Sequence, residues 1–142
     1  MFNPTEGIGF QCSLTFRAFF SALERRLEGM GVSRGQFVAL AHLVALGPMP
    51  QAELASYLAI TPACVVRLID RMERDGWVTR TPDPKDRRVK IVSPTSSALE
   101  MWDKLSAHAQ AVLKQAYGDI PGQEIEQTVR TLIQIRRNLG SE

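Results

Sequence analysis

A capped, one-sided helix followed by two β-rich runs around a charged turn restricts this chain more than any other stretch. It lies at residues 61–92 and reads TPACVVRLIDRMERDGWVTRTPDPKDRRVKIV. Thr61 can cap a helix through its hydroxyl, and Pro62 suits the first helical position, where no backbone N–H is needed. Val65, Leu68, Ile69 and Met72 recur at three- and four-residue steps and make one apolar stripe. At about 100° per residue, Ala63, Arg67, Asp70 and Arg74 fall opposite that stripe, and Cys64, Val66 and Arg71 flank it. Gly76 stops the helix. The runs at 77–81 and 89–92 are β-rich, and PDPKDRR between them is turn-forming and ends on paired arginines. A helix with a basic outer face and then a hairpin with a basic tip outlines a winged helix-turn-helix. That shape suits a DNA duplex.

Charge is concentrated in the same place. The whole chain carries a net +2, which argues nothing by itself. Residues 61–92 hold eight Lys/Arg against five Asp/Glu, while the remainder holds nine against ten. The basic excess therefore sits on the reading element, as a nucleic-acid footprint requires. A solvated helix face with chance arginines is the competing reading.

The rest of the chain supplies helices. From about Gly9 to Met30, Phe16, Phe20, Leu23, Leu27 and Met30 alternate steps of four and three, and Phe19 widens the stripe. Gly29 and Gly31 end that helix. Ser33 and Gln36 make a capping box for a second helix over about 34–46. Phe37, Leu40, Ala41 and Val44 lie on one side of it, and Ala39, His42, Leu43 and Leu46 on the other, which predicts burial on two faces. GPMP at 47–50 breaks the chain and offers a short strand. A short helix over 51–58 then turns through Ala59-Ile60 into Thr61, giving the bracing and reading helices of the motif. Thr95 caps a long helix to about Tyr117 with Ala98, Trp102, Leu105, Ala109, Val112 and Ala116 on one face. Pro121 opens a last helix carrying Ile125, Val129, Leu132, Ile133 and Leu139. The expected class is mainly α with a small β-hairpin wing. The whole of 1–142 forms one unit, with a winged helix-turn-helix at about 31–94 and helical parts at about 9–30 and 95–142. Those terminal seams exceed what a small winged helix can cover, so they are expected to pack together and against a second subunit. A closed monomeric bundle is the alternative.

The motifs Arg67-Leu68-Ile69-Asp70-Arg71-Met72-Glu73, Asp75-Gly76-Trp77-Val78-Thr79-Arg80 and Asp83-Pro84-Lys85-Asp86-Arg87-Arg88 resemble the recognition helix and wing of the multiple-antibiotic-resistance regulator (MarR) family. The close of the pattern departs, because Pro94-Thr95-Ser96-Ser97-Ala98 stands where L-T-x-x-G is usual. The specific motifs cover about residues 51–95, and the resemblance in helix layout extends over essentially the whole chain. It implies a homodimeric, sequence-specific regulator of transcription, usually a repressor released by a small ligand. It also implies that Asp86 braces the wing while Arg88 enters a DNA groove, although plain turn chemistry would equally place Asp83 and Asp86 there.

Candidate DNA contacts follow from position. Thr61, Pro62 and Ala63 lie at a helix N-terminus, where a phosphate or base edge can approach the backbone donors. Arg67 can fork onto a guanine edge or meet a phosphate. Arg71 is either a DNA contact or the ion-pair partner of Asp70 or Glu73. Arg87 and Arg88 at the wing suit a narrow A/T minor groove. The resemblance also implies a small phenolic or other aromatic effector between the terminal helices and the reading unit. Phe16, Phe20, Phe37, His42 and Trp102 are the candidates to line its cavity, with ordinary core packing as the competing reading. Thiol-based redox control through Cys12 or Cys64 is a second switching hypothesis, against which both are inert small side chains. A winged-helix module that binds protein and not DNA is the rival from another class.

Catalysis finds no support in the sequence. Gly7-Ile8-Gly9 lacks the spacing of a phosphate loop. His42, His108, Cys12 and Cys64 have no zinc-site spacing, so no metal or cofactor is expected. Two cysteines far apart in sequence point to reducing cytoplasm. No signal peptide is evident, and the longest apolar run, Phe37 to Leu46, is too short to span a membrane.

Overall fold

The computed structural model describes residue 1 and residues 3–141. A 3-10 turn at Pro4–Glu6 leads into α1 (Ile8–Leu27), α2 (Arg34–Leu46), β1 (Met49–Pro50), α3 (Gln51–Leu58) and α4 (Pro62–Arg74). Then follow β2 (Val78–Pro82), β3 (Lys90–Pro94), α5 (Ser96–Tyr117) and α6 (Gly122–Asn138). The three strands form one antiparallel sheet in the order β1-β3-β2. Thr81 faces Ile91 and Pro82 faces Lys90 across the hairpin, while Met49 and Pro50 pair with Val92 and Ile91 on the other edge of β3. The short GPMP strand is thus real, and it pins the wing to the start of α3.

The core forms where the apolar stripes converge. Leu40 and Leu43 of α2, Leu54 of α3, Ile69 and Met72 of α4, Val92 of β3 and Leu105 of α5 are all at most 1% exposed. Around them, Leu23 and Leu27 of α1 and Phe37 of α2 complete the buried cluster. α2 is the middle layer, packed against α3, α4, α5 and β3.

Caps set the boundaries. Ser33 Oγ accepts from Gln36 N at 3.2 Å and Gln36 Oε1 accepts from Ser33 N at 3.0 Å, so both halves of the capping box are made. Thr95 does more than the departing motif suggests. Its Oγ1 accepts from Ala98 N at 3.1 Å to start α5 and donates to Gly76 O at 2.6 Å, tying the wing's exit to the end of α4.

Three expectations need correction. α1 stops at Leu27 and not at Met30, because Gly29 and Gly31 take left-handed backbone at φ 82° and 71°. Phe16, assigned to the buried stripe, is 57% exposed: only the C-terminal half of α1 reaches the core. Leu46 is 56% exposed, so the last turn of α2 runs past the layers that bury the rest of it. α6 keeps its amphipathic pattern but has no buried residue, with Ile125, Leu132 and Ile133 half-covered and Val129 49% exposed. Among the described residues, no single helix is long and apolar enough to cross a membrane.

Candidate nucleic-acid interface

The axes of α3 and α4 bend by 109° at their junction. Ala59 makes the corner in left-handed backbone, φ 52° and ψ 42°, with its N–H on Ala55 O and Ser56 O. Thr61 then takes extended backbone, and its Oγ1 accepts from Cys64 N at 3.2 Å. With Pro62 at the first position, the start of α4 is fixed as the sequence requires. Val65, Ile69 and Met72 are buried below; Ala63, Arg67, Asp70, Arg71 and Arg74 are exposed above. Thr61, Pro62 and Ala63 are exposed at the N-terminal end.

Carboxylate bonds build the wing tip. Asp83 Oδ1 accepts from Lys85 N at 2.9 Å, and Asp83 N donates to Val89 O at 2.9 Å, which closes the loop. Asp86 Oδ1 accepts from Arg88 N at 3.1 Å and from Arg88 Nε at 3.1 Å, and its Oδ2 accepts from Arg88 Nη2 at 3.1 Å. The Arg88 side chain is nonetheless 91% exposed. Side-chain hydrogen bonds from Arg88 hold the Asp86 carboxyl below the usual aspartate range. This is a cation presented to solvent on a fixed stalk. Arg87 beside it is exposed as well.

Arg80, on β2, makes cross-element ties at the candidate site that spacing alone missed. Its Nη2 donates to Asp70 Oδ1 at 2.6 Å and to Glu73 Oε1 at 3.1 Å, and its Nη1 reaches Gln51 Oε1 at 3.5 Å. One guanidinium therefore ties the wing to the outer face of α4 and the first turn of α3. It takes both carboxylates that sequence reasoning offered to Arg71, which stands exposed. Hydrogen bonding from Arg80 lowers the Glu73 pKa, and the carboxylates in turn raise that of Arg80. The consequence for an anionic partner is direct. Two negative charges on the reading face are countered by a cation that a strand delivers from outside the helix.

The five aromatic candidates do not line one cavity within this chain. Phe16 packs on Phe20 with ring centroids 4.6 Å apart, and Phe37 packs on Trp102 at 5.4 Å. His42 lies elsewhere, its Nδ1 2.8 Å from Val38 O and its ring 5.5 Å from Tyr57. The polar partner that a histidine on an apolar face needs is thus its own helix backbone. Phe20 borders a small cavity of about 150 Å³ with Leu23 and Val112. A larger apolar groove of about 800 Å³ runs between α1, α5 and α6, past Ala18, Phe19, Val112, Ile125 and Val129. Cys12 and Cys64 are both free thiols and both exposed. Among the described residues, no three His, Cys, Asp or Glu side chains are grouped as a metal site requires.

Comparison with known proteins agrees with this architecture. A sequence profile of the MarR family matches residues 32–90. The transcriptional activatory protein BadR of Rhodopseudomonas palustris is 34% identical over 123 residues, which span 81% of this chain and 68% of BadR. A MarR-family regulator from Rhodococcus sp. RHA1 superposes with a TM-score of 0.84 at 25% identity, over 95% of this chain and 96% of that one. CouR from Rhodococcus jostii RHA1, solved bound to p-coumaroyl-CoA, superposes with a TM-score of 0.79 at 26% identity over 92% of each chain. With its reading helix, wing and sheet in this arrangement, the chain belongs to the MarR family of DNA-binding transcription regulators.

Proposed function

We propose that the chain acts as a homodimer that straddles a palindromic operator and represses by occluding a promoter. The observation that carries this reading is the set of exposed cations on both reading elements: Arg67 and Arg71 on α4, Arg87 and the Asp86-held Arg88 on the wing. Thr61, Pro62 and Ala63 bring the α4 N-terminus to a phosphate, and the wing arginines take a minor groove. Residues 31–94 form the reading part; residues 9–30 and 95–142 form the dimerisation part. The half-bare seam of α6 and the neighbouring groove support the second assignment, since burying such a seam is what a partner helix would do. Two reading helices would then sit about one DNA turn apart, roughly 34–36 Å.

Release is assigned to a small aromatic ligand held between the terminal helices and the reading part, with Phe16, Phe20, Phe37, His42 and Trp102 as the candidate walls. The aromatic acyl ligand of CouR supports that chemistry. The five side chains form separate pairs in one chain, so the site would be completed by the second subunit.

Selection of duplex fragments by the purified protein, followed by gel shifts across a salt series and sedimentation, tests the reading. A dimer whose affinity falls steeply with salt is expected. A chain that stays monomeric at micromolar concentration and shifts no fragment at low ionic strength overturns it. A salt-independent response would favour a protein-binding winged helix.

A further inference from the structure

Four consecutive residues at the start of α2 reach three other helices between them. Arg34 reaches back to α1: its Nε donates to Glu24 Oε1 at 3.1 Å, and its guanidinium stands 5.0 Å over the Phe20 ring. Gly35 backs onto α4, where an added Cβ would lie 3.4 Å from Leu68 Cδ1. Gln36 reaches the end of α4, its Nε2 donating to Asp75 Oδ2 at 3.1 Å. Phe37 turns to Trp102 of α5.

Gln36 is the informative member. At 3% exposure it is the single buried polar residue among the described ones. Its two amide ends serve different partners. Oε1 accepts from Ser33 N to complete the capping box, and Nε2 donates to Asp75. Glutamate completes a capping box as well as glutamine does, so starting α2 does not require an amide. The donor toward Asp75 does. Asp75 is the C-cap of α4, its N–H on Arg71 O at 2.9 Å. It precedes the left-handed Gly76 (φ 77°) and then Trp77, whose N–H closes on Met72 O at 2.8 Å. The bond therefore grips the point where the reading helix hands the chain to the wing.

We propose that Gln36 is a positioning residue for DNA reading: through Asp75 it pins the C-terminal end of α4 to the start of α2, and so to α1 and α5. The inference rests on the DNA-binding reading above, and it names the joint through which the arrangement of the terminal helices reaches the reading helix. A reading helix held only by its buried stripe can still rotate or tilt about that stripe; a hydrogen bond at its far end removes that freedom.

A double-mutant cycle tests this, using a duplex fragment selected by the wild-type protein. Q36E preserves the capping box but sets two carboxylates against each other, and is expected to weaken binding by about tenfold. D75N is expected to bind like wild type within about threefold, because Gln36 can still donate to the new amide oxygen. The double variant Q36E/D75N has the wild-type charge and restores the bond in reverse, with the new amide donating to the new carboxylate. Its binding is expected to return to within about threefold of wild type. A role confined to starting α2 would leave Q36E unaffected. Wild-type binding by Q36E, or strictly additive effects, overturns the proposal.

A second arm needs no DNA. Amide exchange at residues 75–77 is expected to quicken in Q36E and to recover in the double variant. If wild type shifts no DNA, the DNA-binding reading has failed, and exchange still decides whether the tie holds α4. If Q36E does not fold, D75A removes the acceptor from the exposed side. Faster exchange at 76–77 and weaker binding are expected there, and wild-type behaviour in both sinks the idea.

Discussion

Arg80 Nη2 stands 2.6 Å from Asp70 Oδ1, so a wing strand and the outer face of the reading helix share one ion pair. Glu73 Oε1, at 3.1 Å from the same nitrogen, makes the pair a three-member network. A planar guanidinium can meet both carboxylates at once, whereas an ammonium is a single point of charge. The network fixes the angle between hairpin and helix and offsets one of two negative charges that would repel phosphate.

Arg80→Lys is therefore expected to fold, to lose about 2–4 °C in Tm, and to bind operator about tenfold more weakly. Thermal melts and gel shifts on the same preparation check this. Unchanged affinity would mean that hairpin and helix hold their angle without the fork.

This network and the Arg88–Asp86 pair at the wing tip set an acid limit. Hydrogen bonding from Arg80 depresses the Glu73 pKa, and hydrogen bonding from Arg88 depresses that of Asp86. A carboxylate with a depressed folded-state pKa contributes stability that is fully present above its unfolded value. That contribution is lost as pH falls below the ordinary carboxylate range and through the lowered folded values of Glu73 and Asp86. Urea midpoints of wild type and Arg80→Met should differ at pH 7 and converge as acid protonates Glu73. A gap that persists in acid would contradict the assignment.

Arg88→Ala is expected to lower Tm only slightly, since its pair with Asp86 is a surface one and the side chain is 91% exposed, and to lower the salt slope of operator binding by about one. Wild-type affinity in this variant would count against a wing in the groove.

Val129→Glu tests the terminal seam. Val129 is 49% exposed on α6, which buries nothing, so a single chain should tolerate the charge and keep its far-UV circular dichroism. A subunit interface should not tolerate it. Sedimentation at about 10 μM is expected to find monomer, and operator affinity to fall by at least about a hundredfold, because desolvating an unpaired carboxylate is so costly.

Cys64 offers a chemical probe of the reading face. It is exposed near the start of α4, on the helix proposed to read DNA. Alkylation with a bulky maleimide is expected to abolish operator binding in wild type and to have no effect in Cys64→Ser. Retained binding after complete modification of Cys64 would move the DNA contact off this part of α4.

What could be read in advance was whatever depends on neighbours in sequence. Thr61, Pro62, Ser33, Gln36 and Thr95 announce helix starts by chemistry that acts within three residues, and all five cap or open helices as expected. The stripe Val65, Ile69, Met72 works likewise, because helical period alone puts these residues on one side. Partnerships across elements were not legible. Arg71 neighbours Asp70 in sequence, yet the hairpin brings Arg80 to Asp70 and Glu73 from the far side of Gly76. Nor does sequence say how much of an apolar seam its own chain covers, which is why Phe16 and Leu46 emerge exposed. The aromatic residues were recognisable as a set but not as three separate pairs, since pairing depends on how α1, α2, α3 and α5 lie together.

The corner at Ala59 carries a consequence for drift. Left-handed backbone costs an alanine roughly 1 kcal/mol that glycine or asparagine would largely escape, and a β-branched residue could scarcely adopt it. In a saturation library this site should accept glycine and asparagine and exclude valine and isoleucine, although its side chain is exposed. An outward position would thus behave like an interior one, its tolerance ruled by a single torsion.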